Sequence, residues 1–205
     1  MACIIYCLIA SETTPTPLVE VAMADGNFPQ IAVKLLSKIK PNTSISYSYE
    51  DKFMFHHHNE GGLTYLCMTD ANFSNRTAYT FLFDIKERFT KRFGEDAHRA
   101  IGLGANKEFT DEVKARIVYY NTDPNADKLR TAKQNIEKTK DVMIENIEKI
   151  LERGEKIDLL VRKTVQMTDS AISLRKTASS VRTHMWWKNF KMSLIVCGIL
   201  LVKNI

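Results

Sequence analysis

Between Leu129 and Val181 the chain repeats at alternating intervals of three and four residues without a slip: Leu129, Ala132, Ile136, Thr139, Met143, Asn146, Ile150, Arg153, Ile157, Leu160, Thr164, Met167, Ala171, Leu174, Ala178 and Val181. A mean period of about 3.5 residues over so long a stretch predicts a coiled-coil helix, because the stripe of a globular helix drifts toward 3.6. Fully helical, the stretch is a rod of roughly 80 Å. Such a rod cannot cover its own apolar seam, so it calls for other helices.

The seam is mostly apolar, and Arg153 stands near its middle. A guanidinium carries donors and no acceptor and keeps its proton, so an apolar layer tolerates it only when partners supply acceptors. A symmetric parallel dimer would set arginine against arginine. The layer therefore favours unlike helices bearing glutamine or a carboxylate there, with Arg153 marking register; a solvated defect in a homodimeric structural coiled coil is the plainer alternative. Thr139, Asn146 and Thr164 add polar layers, and Ala132, Ala171 and Ala178 leave room for bulkier facing residues or for more than two helices. Gly154 costs roughly 1 kcal/mol of helix propensity, so the free segment is expected to be partly helical and to order on binding.

Upstream, apolar runs at residues 3–10 and 18–23 read as strands around a Thr/Pro-rich loop. Asp25-Gly26-Asn27 marks a turn, and Asn27 is placed to cap a helix that carries Ile31, Val33, Leu35, Leu36 and Ile39 and ends before Pro41. Residues 44–49, 52–58 and 63–69 read as an antiparallel meander with turns at Glu50-Asp51 and Asn59-Glu60-Gly61-Gly62. In the first of these strands Ile45, Tyr47 and Tyr49 alternate with Ser44, Ser46 and Ser48. A helix over 75–93 with a stripe of Ala78, Phe81, Leu82, Ile85, Phe89 and Phe93 stops at Gly94, and another covers 107–120. The order predicts an α+β domain over 1–120, with helices on a five-stranded antiparallel sheet. A linker at 121–127 follows, then the heptad stretch and its flank at 128–188.

The rest of the sequence excludes more than it suggests. A net charge of +5 permits anionic partners without demanding them, and no element for nucleic acid is read. The four cysteines lack metal-ligand spacing. His56-His57-His58 would alternate across a strand and could not converge on one ion. Gly102-Leu103-Gly104 lacks the rest of a dinucleotide fingerprint, and no nucleophile, base and orienter set stands out. No enzyme, cofactor or metal is expected. The N-terminus has no basic region of a secretory signal. At the other end Trp186 and Trp187 with Lys188 and Lys191 suit a membrane interface with anionic lipid, although a helix tucked on a core would explain them too. The apolar run Met192 to Val202 is about eleven residues where a span needs about twenty, so residues 189–205 are expected to be a short or truncated membrane anchor, either a cut or spliced end or an interfacial segment that enters a bilayer only part way.

The segment from Met143 through Arg153-Gly154 to Val161, continued by Lys163-Thr164 and Trp186-Trp187-Lys188-Asn189, resembles the centre of an R-SNARE motif. Phe53-Met54-Phe55-His56, Tyr65-Leu66-Cys67-Met68-Thr69-Asp70 and Phe83-Asp84-Ile85-Lys86-Glu87-Arg88-Phe89 resemble strands and a helix of a longin domain. The whole chain is similar to longin-type vesicle-associated membrane proteins of the synaptobrevin-like class, nearest the vesicle-associated membrane protein 7 group. The resemblance implies a profilin-like longin head. It also implies a helix that zips with three glutamine SNARE helices into a parallel bundle, with Arg153 as the central ionic layer and membrane fusion as the outcome. It further implies a separate disassembly ATPase with its adaptor, and a cytosol-facing chain anchored by its C-terminal tail on a vesicle, endomembrane or plasma membrane. The head would regulate the helix by folding back on it, or bind sorting adaptors, through a surface including Ile45 and Tyr47. A weakly anchored or soluble SNARE regulator, and a structural coiled-coil scaffold with an adaptor head, are the alternatives.

Overall fold

The computed structural model describes residues 2–12, 17–94, 106–123, 126, 142–150 and 159–162, all within one compact unit, Met1–Thr164. The elements in chain order are β1 (Ile4–Ser11), β2 (Pro17–Ala22), β3 (Asp25–Gly26), α1 (Phe28–Leu36), β4 (Ser44–Tyr49), β5 (Phe53–Glu60), β6 (Leu63–Asp70), α2 (Asn75–Phe93) and α3 (Asn106–Thr122). After these come β7 (Met143–Asn146), a 3₁₀ turn (Ile147–Lys149) and β8 (Val161–Arg162).

The expected five strands of the head form the sheet in the order β2, β1, β6, β5, β4, antiparallel throughout. Its hairpins close where the chain can take positive φ at two successive residues. Glu50 and Asp51 (φ 47° and 52°) join β4 to β5, and Gly61 and Gly62 (φ 63° and 74°) join β5 to β6, the handedness that matches strand twist.

Alternation along the strands sorts side chains to two faces. Cys7, Ile9, Tyr65 and Cys67 meet the apolar stripe of α2 and, from α3, Phe109, Val113 and Ile117 in one buried cluster. On the other face Tyr6 packs its ring 5.1 Å from Phe28 of α1, whose Ile31, Ala32 and Leu35 are buried too. Helix α2 begins at Ser74, whose hydroxyl accepts from the Thr77 amide, and stops at Gly94 (φ 56°). Asp84 ties α2 to α3: its carboxylate accepts from Arg88 at 2.9 Å, from Arg116 at 2.6 Å and from the Tyr120 hydroxyl. A buried carboxylate between two guanidiniums leaves no lone pair side stranded in apolar surroundings.

The expectation of a five-stranded antiparallel sheet needs one correction. The sheet has six strands and is mixed, because β7 lies parallel to β4 along what would be the head's edge. An edge strand offers a row of unpaired backbone groups, and here a stretch of the heptad region covers it. Among the described residues no helix is long and apolar enough to cross a membrane.

Candidate functional site

Strand β4 is bordered on both sides. Against β5, Ser46 and Ser44 approach the Nδ1 atoms of His56 and His58 at 2.8 Å each, and Thr43 approaches His57 Nε2 at 3.2 Å. His56 also meets the Thr69 hydroxyl and the edge of the Tyr79 ring, and His58 the edge of Phe83, so both face α2. His57 points the other way and stacks on Tyr47, with centroids 5.5 Å apart. The three histidines thus alternate as strand geometry requires. Burial, then the neighbouring imidazole, pushes His56 down to about 3 and His57 to about 4, since desolvation penalises the charged ring.

On its other side β4 receives the heptad segment in register Ile45 to Met143, Ser46 to Ile144, Tyr47 to Glu145 and Ser48 to Asn146. The Ser48 hydroxyl donates to the Glu145 carbonyl. Tyr47 is buried, and burial followed by the Glu145 carboxylate pushes its phenol up to about 12. Ile45 is half-buried. Both candidate residues of the head surface therefore lie on the strand that the docked segment pairs with. Val142 packs against the α2-side core before the chain turns along the edge. Beyond β7, Asn146 accepts through its side chain from the Glu148 amide, and the chain makes one 3₁₀ turn.

Four seam positions fall in the described residues, and the head does not cover them as a bundle would. Met143 is 56% exposed and Leu160 58%, whereas Ile147 at 0% and Leu159 at 9%, neither of them a seam position, are buried. Asn146 is exposed and Ile150 half-buried. Asn146 has φ −76° and ψ 131°, an extended conformation in place of the ψ near −42° a helix needs. Over Met143–Asn146 the spacing predicts helix and the structure has strand. A solitary heptad stripe lacks the partner helices that would bury it, so the backbone groups pair with the open edge of β4. The segment returns at Leu159, whose amide donates to the Tyr49 hydroxyl at 3.1 Å. Then β8 pairs antiparallel with β3.

Arg153 and the layers Leu129, Ala132, Ile136, Thr139, Ile157, Thr164, Met167, Ala171, Leu174, Ala178 and Val181 lie outside the described residues, as do Trp186, Trp187, Lys188, Lys191 and the segment 189–205. Sequence reasoning missed Ile147, Leu159, Tyr49 and Asn27 as contact residues. Ile147 and Leu159 are large apolar side chains off the seam, but so is Ile144, which is 55% exposed, so that pattern alone does not single out the contacts. Among the described residues no group of three His, Cys, Asp or Glu could hold a metal ion.

The Synaptobrevin family model matches residues 128–203, and the longin model, described as the regulated-SNARE-like domain, matches residues 18–113. The chain is 38% identical to vesicle-associated membrane protein 712 of Arabidopsis thaliana over 201 residues, 97% of this chain and 90% of the relative. It is 34% identical to vesicle-associated membrane protein 7B of Dictyostelium discoideum over 201 residues, 97% and 76%. With vesicle-associated membrane protein 7 of Homo sapiens it shares 30% over 200 residues, 97% and 90%.

Proposed function

The chain belongs to the longin-type, synaptobrevin-like R-SNAREs of the vesicle-associated membrane protein 7 group, and from that membership we propose a vesicle R-SNARE that a closed head holds in reserve. Its heptad stretch zips with three glutamine SNARE helices of a target membrane into a parallel four-helix bundle, and burial of successive layers toward Val181 draws the two bilayers together. The family is a non-enzymatic one, and the work is done by folding. Arg153 sits among the three glutamines as the ionic layer; Trp186, Trp187, Lys188 and Lys191 lie at the lipid interface of the vesicle, with the chain facing the cytosol. A disassembly ATPase with its adaptor recycles the bundle, and sorting adaptors compete for the Ile45 and Tyr47 surface.

The observation that carries the bundle is the unbroken seam with one arginine near its middle, inside the residues that match the Synaptobrevin model. Mixing the full chain with glutamine SNARE fragments should give a complex that resists SDS and gains helix, and Arg153→Ala should leave the head folded while loosening register. A stable homodimer of the isolated chain, indifferent to those fragments, overturns the reading. Flotation with anionic liposomes separates a fusing anchored form from a soluble inhibitor.

The observation that favours closure is the extended Met143–Asn146 on β4. The head restrains the segment's backbone while leaving Met143 and Leu160 outside. A helical bundle and the strand on β4 demand different conformations of the same residues, so one excludes the other. Replacing Ile45 and Tyr47 by serine should speed assembly; unchanged assembly with unchanged adaptor binding sinks the regulatory part.

A further inference from the structure

An asparagine before a helix ordinarily accepts a hydrogen bond from the amide of the second or third helical residue. At α1 the second position is Pro29, which has no amide hydrogen, and Asn27 makes no side-chain cap bond to the helix. Its Oδ1 instead accepts from the amide of Leu160 at 2.8 Å, while its own backbone amide donates to the Leu160 carbonyl at 3.2 Å. One residue of the head thus takes both backbone groups of one residue of the segment. The preceding amide, that of Leu159, is the one that donates to Tyr49. Gly26 permits the approach: a Cβ there would stand 2.3 Å from the Leu160 carbonyl oxygen and 2.6 Å from the Phe28 ring. The pairing then runs on, Gly26 with Val161 and Asp25 with Arg162.

We propose that Gly26, Asn27 and Tyr49 form a second clasp, beyond the β4–β7 pairing of Ile45–Ser48, that reads the backbone of Leu159–Arg162 in extended form. It rests on the closed-head reading above and deepens it: the head holds its own segment at two points on either side of Arg153. The amides of Leu159 and Leu160 are those a helix would turn toward the carbonyls of Glu155 and Lys156, four residues back. Zippering past Arg153 therefore has to take these two donors from Tyr49 and Asn27. Because the hydrogen bonds fall on backbone and the Leu160 side chain stays outside, a bundle layer is retained without being part of the lock.

Hydrogen exchange of the full-length chain tests this. Asn27→Ala should speed exchange at Leu159–Arg162 by roughly fivefold and change Met143–Asn146 less than twofold. Asn27→Asp, which keeps an acceptor, should restore protection, and Tyr49→Phe should act at Leu159 alone. Ile147→Ser should give the reverse pattern. Should the alanine variant also loosen α1, exchange at Ile31–Leu35 would report it, and Tyr49→Phe then decides. Unchanged protection at Leu159–Arg162 in both variants overturns the clasp, and so does equal loss at both stretches in every variant, which means a single hold. If Met143–Asn146 is no better protected in the full chain than in a peptide of residues 128–188, the closed head itself fails and the clasp with it, an outcome distinct from the other two.

Discussion

β4 has two neighbours, and they are held differently. β5 pairs with it over six antiparallel positions, with hydroxyls meeting imidazoles across the strands and α2 closing over them. β7 pairs over four parallel positions, with Met143 and Ile144 facing solvent. The first contact belongs to a core that has no other use. In the second, the seam residue Met143 stays outside, and the head uses backbone and two off-seam side chains, Ile147 and Leu159. On the proposed reading, partners that offer a helix-burying seam displace such a hold.

The largest expected effect acts on the permanent side. His56 and His57 have folded-state values near 3 and 4, below the ordinary 6.5, so the unfolded chain binds more protons between those values. Their contribution is fully present above about pH 6.5 and is lost as pH falls, down to about 4 for His57 and about 3 for His56, at about 1.4 kcal/mol per pH unit for each ring. At pH 5 the two together should remove roughly 4 kcal/mol, read as a lower denaturation midpoint, with the segment and the head released in one transition. A midpoint flat from pH 7 to 5, or a segment that leaves first on acidification, breaks the contrast between the two sides.

Next comes the reversible side. Ile147→Ser should remove about 2–3 kcal/mol from closure, unprotect Met143–Asn146 and speed assembly with glutamine SNARE fragments about tenfold, while the head's own melting stays close to wild type. Met143→Ser and Leu160→Ser should leave closure within about 0.5 kcal/mol and weaken the assembled bundle. If the seam variants open the head as readily as Ile147→Ser does, seam and lock are not separate sets of residues.

The head was legible because its signals are local. Alternation placed Ile45, Tyr47 and Tyr49 on one face and the serines on the other, and Ser46 indeed turns to Tyr79 of α2 while Tyr49 turns to the segment. Gly94 (φ 56°) stops α2 at the residue where the stop was expected. The sixth strand was not legible, since Met143–Asn146 carries helical spacing and becomes a strand only through the edge it docks on. Asn27 precedes α1 as expected but makes no side-chain cap bond, and only the folded chain brings Leu160 within its reach. Of the site, Ile45 and Tyr47 came from the resemblance. Ile147 and Leu159 stand off the seam like the exposed Ile144, so only the folded chain separates contact from surface among them.

The smallest effect sharpens the same contrast at the β4–β5 turn. Glu50 and Asp51 occupy left-handed backbone, which costs residues with a Cβ and suits asparagine followed by glycine. Replacing them, Glu50→Asn with Asp51→Gly, should stabilise the head by about 0.5–1 kcal/mol, or roughly 2–4 °C in Tm; the ion pair of Glu50 with Lys52 is exposed and its loss should not register. Exchange at Met143–Asn146 should not change, because the turn tightens β4 against β5 and touches nothing that β7 grips. Slower exchange there, in step with the gain in Tm, would mean that β7 senses the order of β4 as a whole, and that the head's grip on its segment is set by the stability of the hairpin beneath it.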